Sequence, residues 1–240
     1  MPADAEQAVR PPSAEPSMSF DELRTGFTAA VSHELRTPLA RILALLDSAD
    51  LPGADVQGLL DQARAEVENA GTLIDEILFL SELESGREVV ALGYTNALPV
   101  IREVLDEHED AAARAGVVLE ADGDPSVDLP LRPRMLRILA ENLVENAIRY
   151  AGHGSTFRLT ARRENGMTLL SAADDGAGVS EADLHRLFER FWRADAARAS
   201  RGTGLGLAIV KHVVAAAGGT VQARSRRGYG LEVRCLFPSS

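Results

Sequence analysis

Val31-Ser32-His33-Glu34-Leu35-Arg36-Thr37-Pro38 places a histidine beside a carboxylate within a run whose apolar residues recur at helical spacing. At about 100° per residue, Val31, Leu35, Ile42 and Leu46 share one narrow stripe, which predicts a buried face. His33 lies about 200° from Val31 on the same wheel, so its imidazole is expected to point away from that face. An exposed imidazole can act as a nucleophile, and Glu34 is placed to fix its tautomer or accept its proton. Pro38 removes a backbone donor and is expected to bend the helix locally. A single exposed histidine on a helix is ordinarily a surface residue, so the weight of this one rests on segments far downstream.

Helical periodicity around this run starts at Ser19, with Phe20, Leu23, Phe27, Ala30 and Val31 as apolar positions and Ser19 and Glu22 as a capping box. It extends to about Ser48, where Leu51-Pro52-Gly53 breaks it. A second pattern runs through Val56, Leu59, Leu60, Ala63, Val67, Ala70, Ile74, Ile77 and Leu78, fading near Ser85-Gly86. Two long helices joined by a short turn predict an antiparallel hairpin. One hairpin has too little interior to bury both apolar faces, so a four-helix bundle made by a homodimer is expected. Residues 1–18, with Pro2, Pro11, Pro12 and Pro16, read as a disordered linker, and 19–86 as the hairpin domain.

A second domain, 87–240, has a different texture. Strand-like runs at Val117–Glu120, Thr156–Arg162, Thr168–Ala173, Thr220–Ser225 and Leu231–Phe237 alternate with helical patterns at about 97–114, 132–150 and 204–217. This order predicts an α+β sandwich with helices on one face of a mixed sheet.

Composition limits the partners. A 240-residue chain that is 45% hydrophobic and 25% charged reads as globular and soluble. No apolar run approaches the ~18 residues of a membrane span, and no segment resembles a signal peptide. The single Cys235 excludes an internal disulfide framework and fits a reducing, cytoplasmic setting, in a whole protein or below a membrane anchor upstream. A formal net charge of −11 argues against nucleic acid as the main partner. A nucleotide can still bind an acidic protein through local donors and a metal.

Three segments supply such donors. Within 132–150, Leu136, Leu139, Leu143 and Ala147 share one stripe, and Asn142, Glu145, Asn146 and Arg149 lie opposite. Asparagine is a poor interior helix residue, but its amide oxygen is a good ligand for Mg²⁺; an ordinary solvated face is the alternative. Asp174-Asp175-Gly176-Ala177-Gly178 follows a strand-like run; its carboxylate can accept from an exocyclic amine, and its glycines let backbone approach a flat ring. An acidic turn is the plain alternative. Gly202-Thr203-Gly204-Leu205-Gly206-Leu207 opens the last helix, where backbone N–H groups and the helix dipole favour phosphate. It is neither a dinucleotide fingerprint nor a P-loop. Between the last two, Leu187-Phe188-Glu189-Arg190-Phe191-Trp192-Arg193 is either core or the anchor of a lid over 194–203. His108, His153, His185 and His212 lack metal-ligand spacing and read as local hydrogen-bonding residues.

In this order the segments resemble the catalytic core of bacterial sensor histidine kinases, over nearly all of residues 19–237. His33–Pro38 is similar to the phosphoacceptor box, Asn142–Tyr150 to the asparagine box, Asp174–Gly178 and Gly202–Gly206 to the two glycine boxes, and Leu187–Phe191 to the phenylalanine box. The resemblance implies that His33 is phosphorylated by ATP, that Glu34 orients or deprotonates it, and that Thr37 helps dephosphorylate a partner. It implies Mg²⁺ on Asn146, with Asn142 and Arg149 near the phosphates and Asp174 on the adenine amine. Gly176 and Gly178 would shape the base pocket, and Gly202, Gly204 and Gly206 would border the lid. Tyr150, Arg190, Thr203 and Leu205 complete the implied nucleotide-binding set. The implied partner is a response regulator that receives the phosphate on an aspartate. Arg149, Asp175 and Arg201 stand where lysine, asparagine and glycine are frequent in the family, and none removes an atom the chemistry requires. The rival functions are an ATPase or Ser/Thr kinase on the same fold, a dimeric scaffold that binds a regulator without ATP, and a family member in which phosphatase activity dominates.

Overall fold

The computed structural model describes residues 20–86, 93–194 and 202–238, with the side chains of the first helix described from Ala30. The expected linker 1–18, the cap at Ser19 and Glu22, and residues 195–201 of the expected lid lie outside those residues.

Helix α1 (Phe20–Ala49) and helix α2 (Val56–Glu84) form the expected hairpin. Pro38 lies inside α1, which continues through it. The turn ends at Asp55, whose carboxylate caps α2 by accepting from the Gly58 N–H at 3.1 Å. Val31, Leu35 and Ile42 are half-buried as their stripe predicts, but Leu46 is exposed. The reason is geometric: a single partner helix covers only part of an apolar arc. Leu46 instead joins Leu39 and Leu43 on an outward face of α1, and Leu60, Val67, Ile74 and Leu78 form a matching outward stripe on α2.

The rest of the chain builds a mixed sheet. Strand β1 (Thr95–Asn96), helix α3 (Ala97–Ala115), strands β2 (Val118–Gly123) and β3 (Asp128–Leu129), and helix α4 (Pro133–Tyr150) come first. Strands β4 (Thr156–Glu164) and β5 (Met167–Asp174), a 3₁₀ turn at Glu181–Arg186, helix α5 (Gly206–Ala216), and strands β6 (Thr220–Ser225) and β7 (Leu231–Pro238) follow. The main sheet has the order β2-β4-β5-β7-β6, with β2 parallel to β4 and the other pairs antiparallel. Strands β4 and β5 are joined by Asn165-Gly166, both at positive φ (52° and 75°), the backbone a two-residue hairpin turn requires. Strands β1 and β3 pair separately as a two-residue ladder.

Helices α3, α4 and α5 cover one face. Ile101, Leu136, Leu139, Leu143, Leu159, Leu170, Val213 and Phe237 meet there in one buried core. Fully burying one such side chain is worth roughly 1.5–3 kcal/mol. The other face is polar and carries paired charges: Arg158 on Glu120 at 2.6 Å, and the buried Arg234 on Glu164 and Glu232. That pairing lets one face of the sheet stand in water.

Candidate functional site

Burying the Leu136, Leu139, Leu143 and Ala147 stripe in the core turns the opposite edge of α4 outward. Asn142, Glu145, Asn146, Arg149 and Tyr150 then line a cavity of ≈ 360 Å³. Gly178 and Val179 after β5, Leu187, Trp192, Arg193 and Ala194 beyond the 3₁₀ turn, and Thr203, Gly204, Gly206 and Leu207 at the start of α5 complete most of its wall. Cavities of this size are typical of small-ligand sites. The Asn142 amide donates to the Ile138 carbonyl at 2.8 Å, and a Cβ on Gly206 would stand 2.8 Å from its Oδ1. The close approach of α4 and α5 therefore depends on Gly206. Leu205, the N-cap of α5, makes no capping bond through its own side chain, and Gly206 and Leu207 of the first turn border the cavity, where helix termini favour anions.

Several expected residues sit elsewhere. Leu205 is fully buried, so its side chain belongs to the core. Gly202 lines a neighbouring cleft and lies under the Tyr150 hydroxyl. Arg190 lines that same cleft and pairs with Glu84 at the end of α2. Gly176 lets backbone approach backbone: a Cβ there would come within 2.1 Å of the Ala151 carbonyl oxygen. Asp174 is absent from the cavity's lining; it faces a separate cleft with Thr156, Asp175 and Glu232, and it accepts from Gly176 N at 3.0 Å and Leu231 N at 3.4 Å. Burial pushes its carboxyl above the ordinary value, with a smaller push from Asp175, against the lowering effect of those two N–H donors. Phe191 has φ 61°, a strained backbone for a bulky residue, and its N–H donates to the Gly204 carbonyl at 2.9 Å. A Cβ on Gly204, itself at φ 71°, would stand 2.8 Å from the Phe191 carbonyl carbon.

His33 is exposed, with 76% of its side chain accessible, and its Nδ1 lies 3.4 Å from Glu34 Oε1. Thr37 Oγ1 donates to the His33 carbonyl at 3.4 Å. His33, Glu34 and Thr37 line a cleft of ≈ 800 Å³ whose far wall is the second domain. Glu76, Glu145, Arg149, Trp192, Arg193 and Thr203 line both this cleft and the nucleotide-sized cavity, so the two spaces adjoin. Glu76, Trp192 and Arg193 were not among the residues expected at the site. Only Trp192 and Arg193 lay in a segment that the sequence singles out.

The oxygen donors on this wall suit a hard divalent cation. Asn142, Asn146, Glu145 and Glu76 face the cavity, while among the described residues no cluster of three or more His, Cys, Asp or Glu could hold a metal by itself. An ion there would take further oxygens from a phosphate ligand, as Mg²⁺ characteristically does.

Comparison with known proteins agrees with this architecture. Residues 23–86 match the His Kinase A (phospho-acceptor) domain, and residues 132–240 the family of histidine kinase-, DNA gyrase B- and HSP90-like ATPases. Sensor-like histidine kinase SenX3 of Mycobacterium tuberculosis is 33% identical over 226 residues, covering 92% of this chain and 55% of that protein. The phosphate regulon sensor protein PhoR of Pseudomonas aeruginosa is 32% identical over 229 residues, 91% of this chain and 51% of its own length. The chain thus spans about half the length of these curated relatives. Histidine kinase AdeS of Acinetobacter baumannii shares the fold with a TM-score of 0.71 at 24% identity, covering 86% of this chain and 97% of that one. Histidine kinase ThkA, solved in complex with the response regulator TrrA, gives 0.70 at 21% identity, with 90% of this chain and 61% of that one covered. This chain belongs to the sensor histidine kinases, of which it carries the phosphoacceptor and ATPase-type catalytic core.

Proposed function

We propose that ATP bound in the α4–α5 cavity phosphorylates His33, and that the phosphate then passes to an aspartate of a response regulator. The observation that carries this reading is the adjoining of the His33 cleft and the nucleotide-sized cavity through shared walls. With Glu34 beside Nδ1, Nε2 is the nitrogen left to attack. A bond forms between Nε2 and the γ-phosphorus, the bond to the β-phosphate oxygen breaks, and ADP leaves. Glu34 holds the ring through Nδ1 and accepts the Nδ1 proton as attack by Nε2 makes the ring cationic. Arg149, Thr203 and the N–H groups of α5 stabilise charge on the phosphates. A divalent ion on Asn146, with Asn142 nearby, would neutralise triphosphate charge. Asp174 accepts from the adenine amine, and Gly176 and Gly178 hold the turn that shapes the base pocket. Thr37, one helical turn beyond His33, is placed to align water when a phosphorylated regulator is docked.

The division at residues 86 and 87, the homodimer, the regulator partner and a cytoplasmic location are parts of the same reading. The outward apolar stripes of α1 and α2 support the dimer. Histidine kinase ThkA, which shares this fold, was solved in complex with a response regulator, and a partner of that kind is part of this reading. No helix among the described residues is long and apolar enough to cross a membrane.

Incubation with γ-labelled ATP tests the assignment. Wild type is expected to carry an acid-labile, base-stable label, and His33→Gln to carry none while still binding ATP. Acid-labile label on that variant, or a hydroxyl-stable phosphate in its place, overturns it.

A further inference from the structure

Glu76 is the one residue of the helical hairpin, among those described, that lines both the cavity and the His33 cleft. Thr203 lines the same two spaces beside it, and Thr203 Oγ1 accepts from the Leu205 N–H at the start of α5 at 3.3 Å. Oε2 of Glu76 is buried and has no hydrogen-bond partner among the described residues. A carboxyl group from α2 thus lies on the same cavity wall as the start of α5, where anions are favoured. Burial is the main force pushing this carboxyl above its ordinary value; Glu145 adds to the push, while Thr203 and Arg149 oppose it. Two turns on, Glu84 fastens the same helix to the catalytic domain. It pairs with Arg190 and accepts from His212 Nε2 at 2.9 Å.

We propose that Glu76 competes with the phosphates of ATP for Thr203 and the α5 N-terminus, so that nucleotide binding requires α2 to release the catalytic domain. The argument rests on the ATP reading above. A carboxylate and a triphosphate drawn to the same donors repel each other in a partly desolvated space. Glu84 lies outside the cavity wall and acts only by holding α2 in place. ATP binding and hairpin release are therefore linked, and loosening either carboxylate favours the nucleotide.

Calorimetric titration of the full chain with Mg-ATP and with adenosine tests this on wild type, Glu76→Gln and Glu84→Gln. Glu76→Gln is expected to bind ATP about tenfold more tightly, within the ~5–150-fold range of such couplings. Adenosine, which lacks the phosphates, is expected to bind that variant and wild type alike. Glu84→Gln is expected to tighten ATP binding by a smaller factor, and it carries the test alone should Glu76→Gln fail to fold. Unchanged or weaker ATP binding in a folded variant overturns the proposal, as does an equal gain for adenosine. If no protein binds ATP, the nucleotide-site reading falls with it; if all bind ATP equally, only the competition falls.

Discussion

Asp174 poses the sharpest question at the scale of one residue, because two roles fit its position. It organises the turn after β5 by accepting from Gly176 and Leu231, and the family resemblance implies that it also accepts from adenine. Its carboxyl is raised by burial, so its charge weighs against the empty fold. The sign follows from linkage: a raised carboxyl helps stability below its unfolded value, near pH 4, and that help is lost as pH rises through the folded value. Asp174→Asn keeps an oxygen for the two N–H groups and removes the charge. The variant is expected to melt no lower than wild type at pH 7, with any advantage shrinking as pH falls towards about 4. ATP affinity is expected to fall about 10- to 100-fold, the loss of a charged hydrogen bond. Thermal denaturation and calorimetry check both arms, and unchanged affinity would leave Asp174 as a turn residue only. The polar edge of α4 was legible from sequence because helical spacing alone separates Asn142, Asn146 and Arg149 from the leucine stripe. Glu76 was not legible, because it meets Thr203 only through the packing of one domain on another.

Among elements, α1 and α2 carry an unfinished surface. Leu60, Val67, Ile74 and Leu78 fall within about 40° on the helical wheel and are all exposed. Leu39, Leu43 and Leu46 lie within about 60° on α1. A symmetric second hairpin would bury each stripe twice. Ile74→Glu places a charge at two related points, at a loss of roughly 1.5–3 kcal/mol each. Sedimentation equilibrium is expected to show at least a hundredfold weaker dimer, with helicity at residues 56–84 retained. A variant as dimeric as wild type would remove this face from the interface. The hairpin was readable in sequence because its 3.6-residue period persists through both helices, and β4, β5, β6 and β7 were readable as bounded β-rich runs. Strands β1 and β3 were not: two residues cannot display a period, and their pairing joins positions more than thirty residues apart. Which arc of each helix faces its own hairpin partner, and which faces a second copy, was also hidden, as Leu46 shows.

For the whole molecule the question is which catalytic domain serves which histidine. His33 shares its cleft with Arg149, Arg190, Trp192, Arg193 and Thr203 of its own chain. Bringing nucleophile and phosphate donor together in one chain removes the need for a second protomer to orient them, the main entropic obstacle to transfer. Glu76 must first withdraw for ATP to bind; return of the same catalytic domain to its own hairpin then restores the shared walls between the cavity and the cleft that holds Nε2. Autophosphorylation is therefore expected within a chain, even inside a dimer. Mixed dimers of a size-tagged Asn146→Ala chain with a His33→Gln chain separate the alternatives. The first keeps the acceptor but has an impaired nucleotide site; the second keeps the nucleotide site but has no acceptor. After the two are exchanged into one population and given labelled ATP, the tagged chain is expected to show no more label than Asn146→Ala alone. Strong label on the tagged chain would mean that the partner's catalytic domain reaches across, and that the same-chain cleft is not the route of transfer.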